Sequence, residues 1–391
     1  MGVQETADIS EGTGRITTAD LLVTTGDPSV TMRTLEYWRH EGLLPKAERT
    51  GQKGKRPEWT YPVEAIDQLA TLLRQRSKTK DPDLLRACLW FDGYPLNVTR
   101  VRTSITAVLR RSLEAMTKEI EKRRDVGATG DDANWAALEQ VGRRLARRRG
   151  SNALPRYGRQ PQAEREQAVT LALGLVLGDA SASARLEKDA SRVERMIGLD
   201  RGRRPHAGLP AWLDGPPGEG LAGFANFGSL PALIETMSTA SDEELAASRG
   251  LARIMLDGMT AFARIADAFT GMENPAGFGA ISIFRDDPMA AVWLVSFVIA
   301  ATRSSELSEG LRTVVESLSN HVLPVDARAR ELALLSDDEL QGRLSELSTL
   351  PFVEQVRLKR LIAEYRGGLP RADEPDELHG SDDVRSSGNL L

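Results

Sequence analysis

Arg33 and Tyr37 stand four residues apart in the stretch VTMRTLEYWRHEGLLP, Val30 to Pro45, a spacing that sets both side chains on one face of a helix. A guanidinium can read a guanine edge through two parallel hydrogen bonds, and hydroxyl groups can hold phosphates, so the pair suits contact with a DNA duplex. Thr31, Thr34 and Arg39 flank it and add further hydroxyl and cationic donors. A second group follows in KAERTGQKGKRPEWTY, where Lys53, Lys55 and Arg56 cluster about Gly51 and Gly54 and Tyr61 closes the stretch. Cations on such a tip can track a phosphate backbone, which supplies affinity without sequence preference.

Catalytic chemistry finds no comparable support. His40, His206, His321 and His379 are isolated from one another and from acidic partners at metal-ligand spacing. GEGLAG (Gly218 to Gly223) fits G-x-G-x-x-G, but no strand pattern precedes it, so it reads as a loop. Cys88 is the only cysteine, which excludes an internal disulfide and a cysteine-rich zinc site, and it reads as a buried, inert thiol. No nucleophile elbow or phosphate loop is present. The expectation is a protein without enzymatic activity, catalytic residues, metal or cofactor.

The elements that must carry the basic groups can be read from local signals. TTADLLV (Thr17 to Val23) offers a threonine N-cap and two leucines for a short helix, and GDPS breaks it. Thr31 is the natural N-cap of the next helix and Gly42 its left-handed terminator, with Leu35 and Trp38 inward and Arg33 and Tyr37 outward. The stretch from Lys46 to Tyr61 reads as a basic β-hairpin, or wing. Pro62 then suits the first position of a helix carrying Ile66, Leu69 and Leu73, and DPDLLRACLWFDGYPL reads as another short helix. From Val98, Val101, Ile105, Val108, Met116 and Ile120 recur mostly at threes and fours, which predicts a helix of about 25 residues. It can pair with a second copy or pack onto the rest of the chain.

A helix, a turn, a second helix with outward Arg and Tyr, and a basic hairpin make a winged helix-turn-helix pattern. VTMRTLEYWRHEGLLP followed by RPEWTYPVEAIDQL resembles the DNA-binding domain of the MerR family of bacterial transcription regulators, with its V-S-x-R-T-L-x-Y-Y, G-L-L and Y-S-x-x-x-[IL]-x-x-L elements. The resemblance covers about residues 15–100. It implies that Thr31 begins the recognition helix, Arg33 approaches bases, Tyr37 contacts phosphate, and Lys55 and Arg56 lie in the wing. Thr31, Arg33, Thr34, Tyr37, Arg39, Lys53, Lys55, Arg56 and Tyr61 are the expected DNA-binding set. The resemblance further implies double-stranded DNA as partner, a homodimer on an inverted repeat built through the long helix, RNA polymerase as a partner, and a small-molecule effector. Several features depart from the family pattern. GDPS makes a longer turn, Glu36 replaces a usually basic residue, and Arg39 a usually acidic one. Trp38 takes the place of the second tyrosine, as core or as contact.

Charge is divided along the chain in the same sense. Residues 1–160 hold 28 Lys+Arg against 21 Asp+Glu, a balance of +7, and residues 161–391 hold 23 against 35, a balance of -12, which together give the net -5. A polyanion-binding front and an ordinary back are implied, or else chance clustering of solvated faces. RRLARRRG (Arg143 to Gly150) is either solvated surface or an added phosphate contact. The later chain reads as all-helical, with capping boxes at Ser241/Glu244 and Ser336/Glu339 and apolar helices near 242–270 and 288–303. Trp212, Phe224, Phe227, Phe262, Phe269, Phe278, Phe284 and Trp293 are core, or line an effector pocket. The run Met289 to Ala301 is shorter than the roughly 20 residues that cross a bilayer, so it reads as a buried core helix and no membrane partner is expected. The single cysteine fits a reducing cytoplasm, and the DNA-binding reading puts the protein at the nucleoid.

The expected fold class is mainly α: an N-terminal winged helix-turn-helix with a small β-hairpin wing, a long linking helix and a C-terminal all-helical domain. Its parts are a disordered 1–14, a DNA-binding 15–96, a long helix and basic linker over 97–160, a helical effector or oligomerisation domain over 161–368, and a disordered acidic tail over 369–391. The competing reading is an architectural scaffold that recruits partners to DNA through the helical domain.

Overall fold

The computed structural model describes residues 14–50, 58–124, 130–147, 162–186, 227–270, 287–346 and 352–368. The expected disorder of both termini, the wing tip with Lys53, Lys55 and Arg56, the loop at Gly218 to Gly223, and Trp212, Phe224, Phe278 and Phe284 lie outside them, as does the side chain of Phe269. The chain is mainly helical with one small three-stranded antiparallel sheet. It divides into two units, Met1–Val108 and Leu109–Leu391, a division that falls inside the long helix.

In the first unit, β1 (Arg15–Thr17), β2 (Glu48–Thr50) and β3 (Glu58–Pro62) form the sheet in the order β1-β3-β2. Ile16 lies opposite Tyr61, and Arg49 opposite Trp59. Helix α1 (Thr18–Thr25) starts at a complete capping box, Thr17 with Asp20, and stops at Gly26 in the left-handed region. Helix α2 (Met32–His40) is capped by Thr31, whose hydroxyl accepts the Thr34 amide at 3.2 Å. Gly42, at φ +69°, turns the chain back after it. Pro62 ends β3, and α3 (Ala65–Arg76) begins three residues later, so the expected helix-opening role of Pro62 is corrected. At the end of its strand the missing amide costs the sheet little. Helix α4 (Pro82–Phe91) and α5 (Val98–Glu121) follow.

One apolar cluster joins α1, α2, β3, α3 and α4, with Leu21, Leu35, Trp38, Leu43, Tyr61, Leu69, Leu72 and Leu89 among its buried members. Cys88 is buried, as its apolar neighbourhood predicts.

In the second unit, α6 (Asp131–Arg147) and α7 (Gln162–Leu177) pack through Trp135, Leu138, Leu171 and Leu175. The two helices approach so closely at Gly142 that a Cβ there would lie 2.2 Å from the Thr170 hydroxyl. Further helices are α8 (Leu230–Thr239), α9 (Asp242–Thr270), α10 (Pro288–Arg303), α11 (Ser305–Ser317), α12 (Leu323–Ala333), α13 (Asp337–Glu346) and α14 (Phe352–Gly368). A π-helical turn, Leu318–Val322, separates α11 from α12, and its Leu318 fills the space left by Gly258 of α9. Both expected capping boxes form, at Ser241/Glu244 and Ser336/Glu339. The run from Met289 to Ala301 lies in α10, buried over much of its length.

Glu244 ties the start of α9 to the end of α10. Arg303 donates to both its carboxylate oxygens, at 2.8 and 2.9 Å, and the Ser241 amide donates at 2.7 Å. The Arg303 bonds, with the Ser241 amide second, hold its pKa down from 4.5 to about 2. A carboxyl with a depressed folded-state pKa contributes stability above its unfolded value, and that contribution disappears as pH falls through the folded one. Denaturant midpoints should therefore drop between pH 4.5 and about 2. Glu244→Gln should flatten that part of the profile, as urea titrations at stepped pH would record.

Candidate nucleic-acid interface

Helix α2 has an inner and an outer side because of where the core holds it. Leu35 and Trp38 are buried, while Arg33 and Tyr37 are exposed, Tyr37 to 51 %. Burying one Leu and one Trp fixes rotation of the short helix about its axis, since a slip would expose both. Trp38 is thus core, which resolves its two readings. Gln68, itself buried, donates to the Leu43 carbonyl at 2.9 Å and fixes the chain where it leaves α2.

The outer side borders a concave surface of about 370 Å³. It is lined by Thr31, the N-cap of α2, by Arg33, Thr34 and Tyr37 of α2, and by Arg76 and Lys80 from the end of α3 and the turn beyond. Trp38 and Leu43 also line it, and the Arg76 guanidinium lies 5.3 Å from the centre of the Trp38 ring. Three cations and three hydroxyl groups around an apolar base make a surface fit for a phosphate backbone, the cations by charge and the hydroxyls by donation. Arg76 and Lys80 escaped the sequence reading because some 40 residues separate them from α2. A short α3 with basic residues in its last turn was the available signal.

The other flank of α2 faces the sheet. The Arg39 guanidinium stacks over the Trp59 ring of β3 at 4.1 Å, and Arg39 is half-buried, so it braces the helix against the hairpin. Tyr61 corrects an expectation. Its side chain is only 2 % exposed, paired opposite Ile16 and packed in the core, and it is not available to DNA. Burial pushes its phenol above the ordinary pKa. Adjacent strand residues point to opposite faces, and this register turns Tyr61 inward. Arg15 donates to Thr60 and pairs with Glu48 at 3.0 Å across the sheet.

The Thr31 cap contributes to the same surface by fixing where α2 begins. Thr31→Ala is expected to cost about 1 kcal/mol and to lower the melting temperature of the N-terminal unit by about 4–8 °C. Circular dichroism melting would check this, and Thr31→Ser should restore it.

Among the described residues, no group of three or more His, Cys, Asp or Glu side chains is arranged to hold a metal ion, and no helix is long and apolar enough to cross a membrane. Of the suggested aromatic set, Phe262 is 40 % exposed, while Phe227 and Trp293 are half-buried. Comparison with protein families, curated proteins and solved structures finds no match to this chain.

Proposed function

We propose that the N-terminal unit is a winged helix-turn-helix of the MerR type that binds double-stranded DNA, and that the protein is a sequence-specific transcription regulator and not an enzyme. In this reading α1 and α2 are the two helices, α2 enters the major groove, and the β2–β3 hairpin is the wing. The observation that carries it is the outer side of α2, where exposed Arg33 and Tyr37 share a cation-rimmed concavity with Arg76 and Lys80. Arg33 supplies base recognition. Tyr37, Arg76 and Lys80, with Lys53, Lys55 and Arg56 of the wing, supply phosphate contacts.

The family assignment rests on the motif residues and their order. Homodimerisation on an inverted repeat, action through RNA polymerase, an effector for the helical unit, and a place at the cytoplasmic nucleoid follow from that resemblance alone. Val101, Ile105, Val108 and Leu109 of α5 are buried in the single chain, so a pairing contact along this helix uses its polar side.

Selection from a random-sequence duplex pool by the full-length protein, at physiological salt, tests this reading. Enrichment of one motif, present twice as an inverted repeat, supports it. Retention of DNA without enrichment, with a steep loss of affinity on adding salt, would favour the architectural role instead.

A further inference from the structure

Arg86, on α4, is a buried cation that the DNA-contacting surface does not use. Its side chain is 8 % exposed. Nη2 donates to the carbonyl of Glu41 at 2.6 Å and to its carboxylate at 3.2 Å, and Glu41 is the residue that caps the C-terminus of α2. Nη1 donates to the Ser104 hydroxyl of α5 at 2.5 Å and to the Asp83 carboxylate at 3.0 Å. Ser104 closes the ring by donating to Asp83 at 2.8 Å. A second strap runs in parallel, from Arg100 Nη1 of α5 to the His40 carbonyl at 3.3 Å.

We infer that Arg86 is a positioning residue for α2, a single guanidinium that fixes the C-terminal end of the DNA-reading helix to α4 and α5 together. The inference rests on the DNA-binding reading for its consequence, though not for its geometry. A helix end leaves carbonyls without intrahelical partners and carries partial negative charge, so a cation with several donors is suited to hold it. The planar fork reaches carbonyl, carboxylate and hydroxyl at once, which a lysine ammonium on its flexible stem cannot reproduce. Burying such a group among two carboxylates gains little net stability, and its value lies in the register it imposes. The apolar contacts of Leu35 and Trp38 fix the middle of α2. The Arg86 ring fixes its end, and does so with respect to α5, so a displacement of α5 is passed to the helix that meets DNA.

Hydrogen exchange on the full-length protein without DNA tests the tie. The informative amides are those of Glu41, Gly42 and Leu43, which are hydrogen-bonded to carbonyls of α2. Arg86→Lys is expected to accelerate their exchange at least about tenfold and leave α3 unchanged. Affinity for a selected DNA site should fall about tenfold, with the slope of log K against log salt as in the wild type, because no phosphate contact is lost. Wild-type exchange at these three amides would overturn the inference, and so would a shallower salt slope, which would make Arg86 a phosphate contact. Ser104→Ala removes the bonds that join the Arg86 ring to α5, leaving Arg86 its contacts with Glu41 and Asp83, and carries the test if the lysine variant exchanges throughout the unit. It should accelerate the same amides about threefold, and exchange at the wild-type rate would overturn the inference. Accelerated exchange in a protein whose wild type binds no duplex DNA would sustain the tie and refute the DNA-binding reading.

Discussion

Arg33→Ala is expected to weaken binding to a selected DNA site by about 10- to 100-fold while leaving the melting temperature unchanged. The magnitude is that of one bidentate base contact. The selectivity of the effect follows from position: Arg33 is exposed on the outer side of α2, away from the buried Leu35 and Trp38, so its truncation opens no cavity. Preference should relax at one base position of the site, and the salt slope should change by no more than about one unit. Competition titrations against single-base variants of the site would check this. A uniform loss across all sequences would assign Arg33 to phosphate and not to a base.

Trp38→Ala is the contrasting case. Trp38 is 3 % exposed, and its ring is covered on one side by Arg76. Removing a buried tryptophan costs about 3–5 kcal/mol, a large part of the 5–15 kcal/mol that holds a typical domain together. The melting temperature of the N-terminal unit should fall by at least about 12 °C, with sequence-specific binding lost in proportion to the unfolded fraction. The two variants thus separate recognition from support. Trp38→Phe should recover much of the stability and leave sequence preference as in the wild type, whereas a preference changed by Trp38→Phe would make this residue a DNA contact as well as core.

What the sequence discloses about this site depends on how local each signal is. The Thr31 cap, Gly42 and the Leu35/Trp38 spacing lie within one short helix, and propensity with periodicity locates them all. The capping boxes and the long helix from Val98 are legible for the same reason. Strand β1 is different. Three residues are too few to display a period of two, and their partners in β3 lie some 45 residues away. The same distance conceals which way Tyr61 points, since hairpin composition predicts a strand but not which face meets the core. Pro62 fits a strand end as well as a helix start, and β1 pairing decides between them. Arg86 illustrates a further limit. An arginine inside an apolar helix reads as surface until Glu41, Asp83 and Ser104 are seen around it.

The division of charge acquires a local counterpart in the structure. Arg33, Arg76 and Lys80 come from separate points of the N-terminal chain and line one concavity together with Tyr37. Leu69 and Leu72 of α3 share one core cluster with Leu35 and Trp38 of α2, which holds the two helices in the same unit.

Contact between the outer side of α2 and DNA is the proposal on which the rest depends. It is tested most directly by placing a photoreactive phenylalanine analogue at position 37 of the full-length protein, irradiating with fragmented genomic DNA at physiological salt, and sequencing what is joined. The same probe at position 334, which is 74 % exposed in the C-terminal unit, is the control. Efficient cross-linking from position 37 to a limited set of fragments sharing a motif is the predicted result. Cross-linking from position 37 no greater than from position 334 would contradict the account.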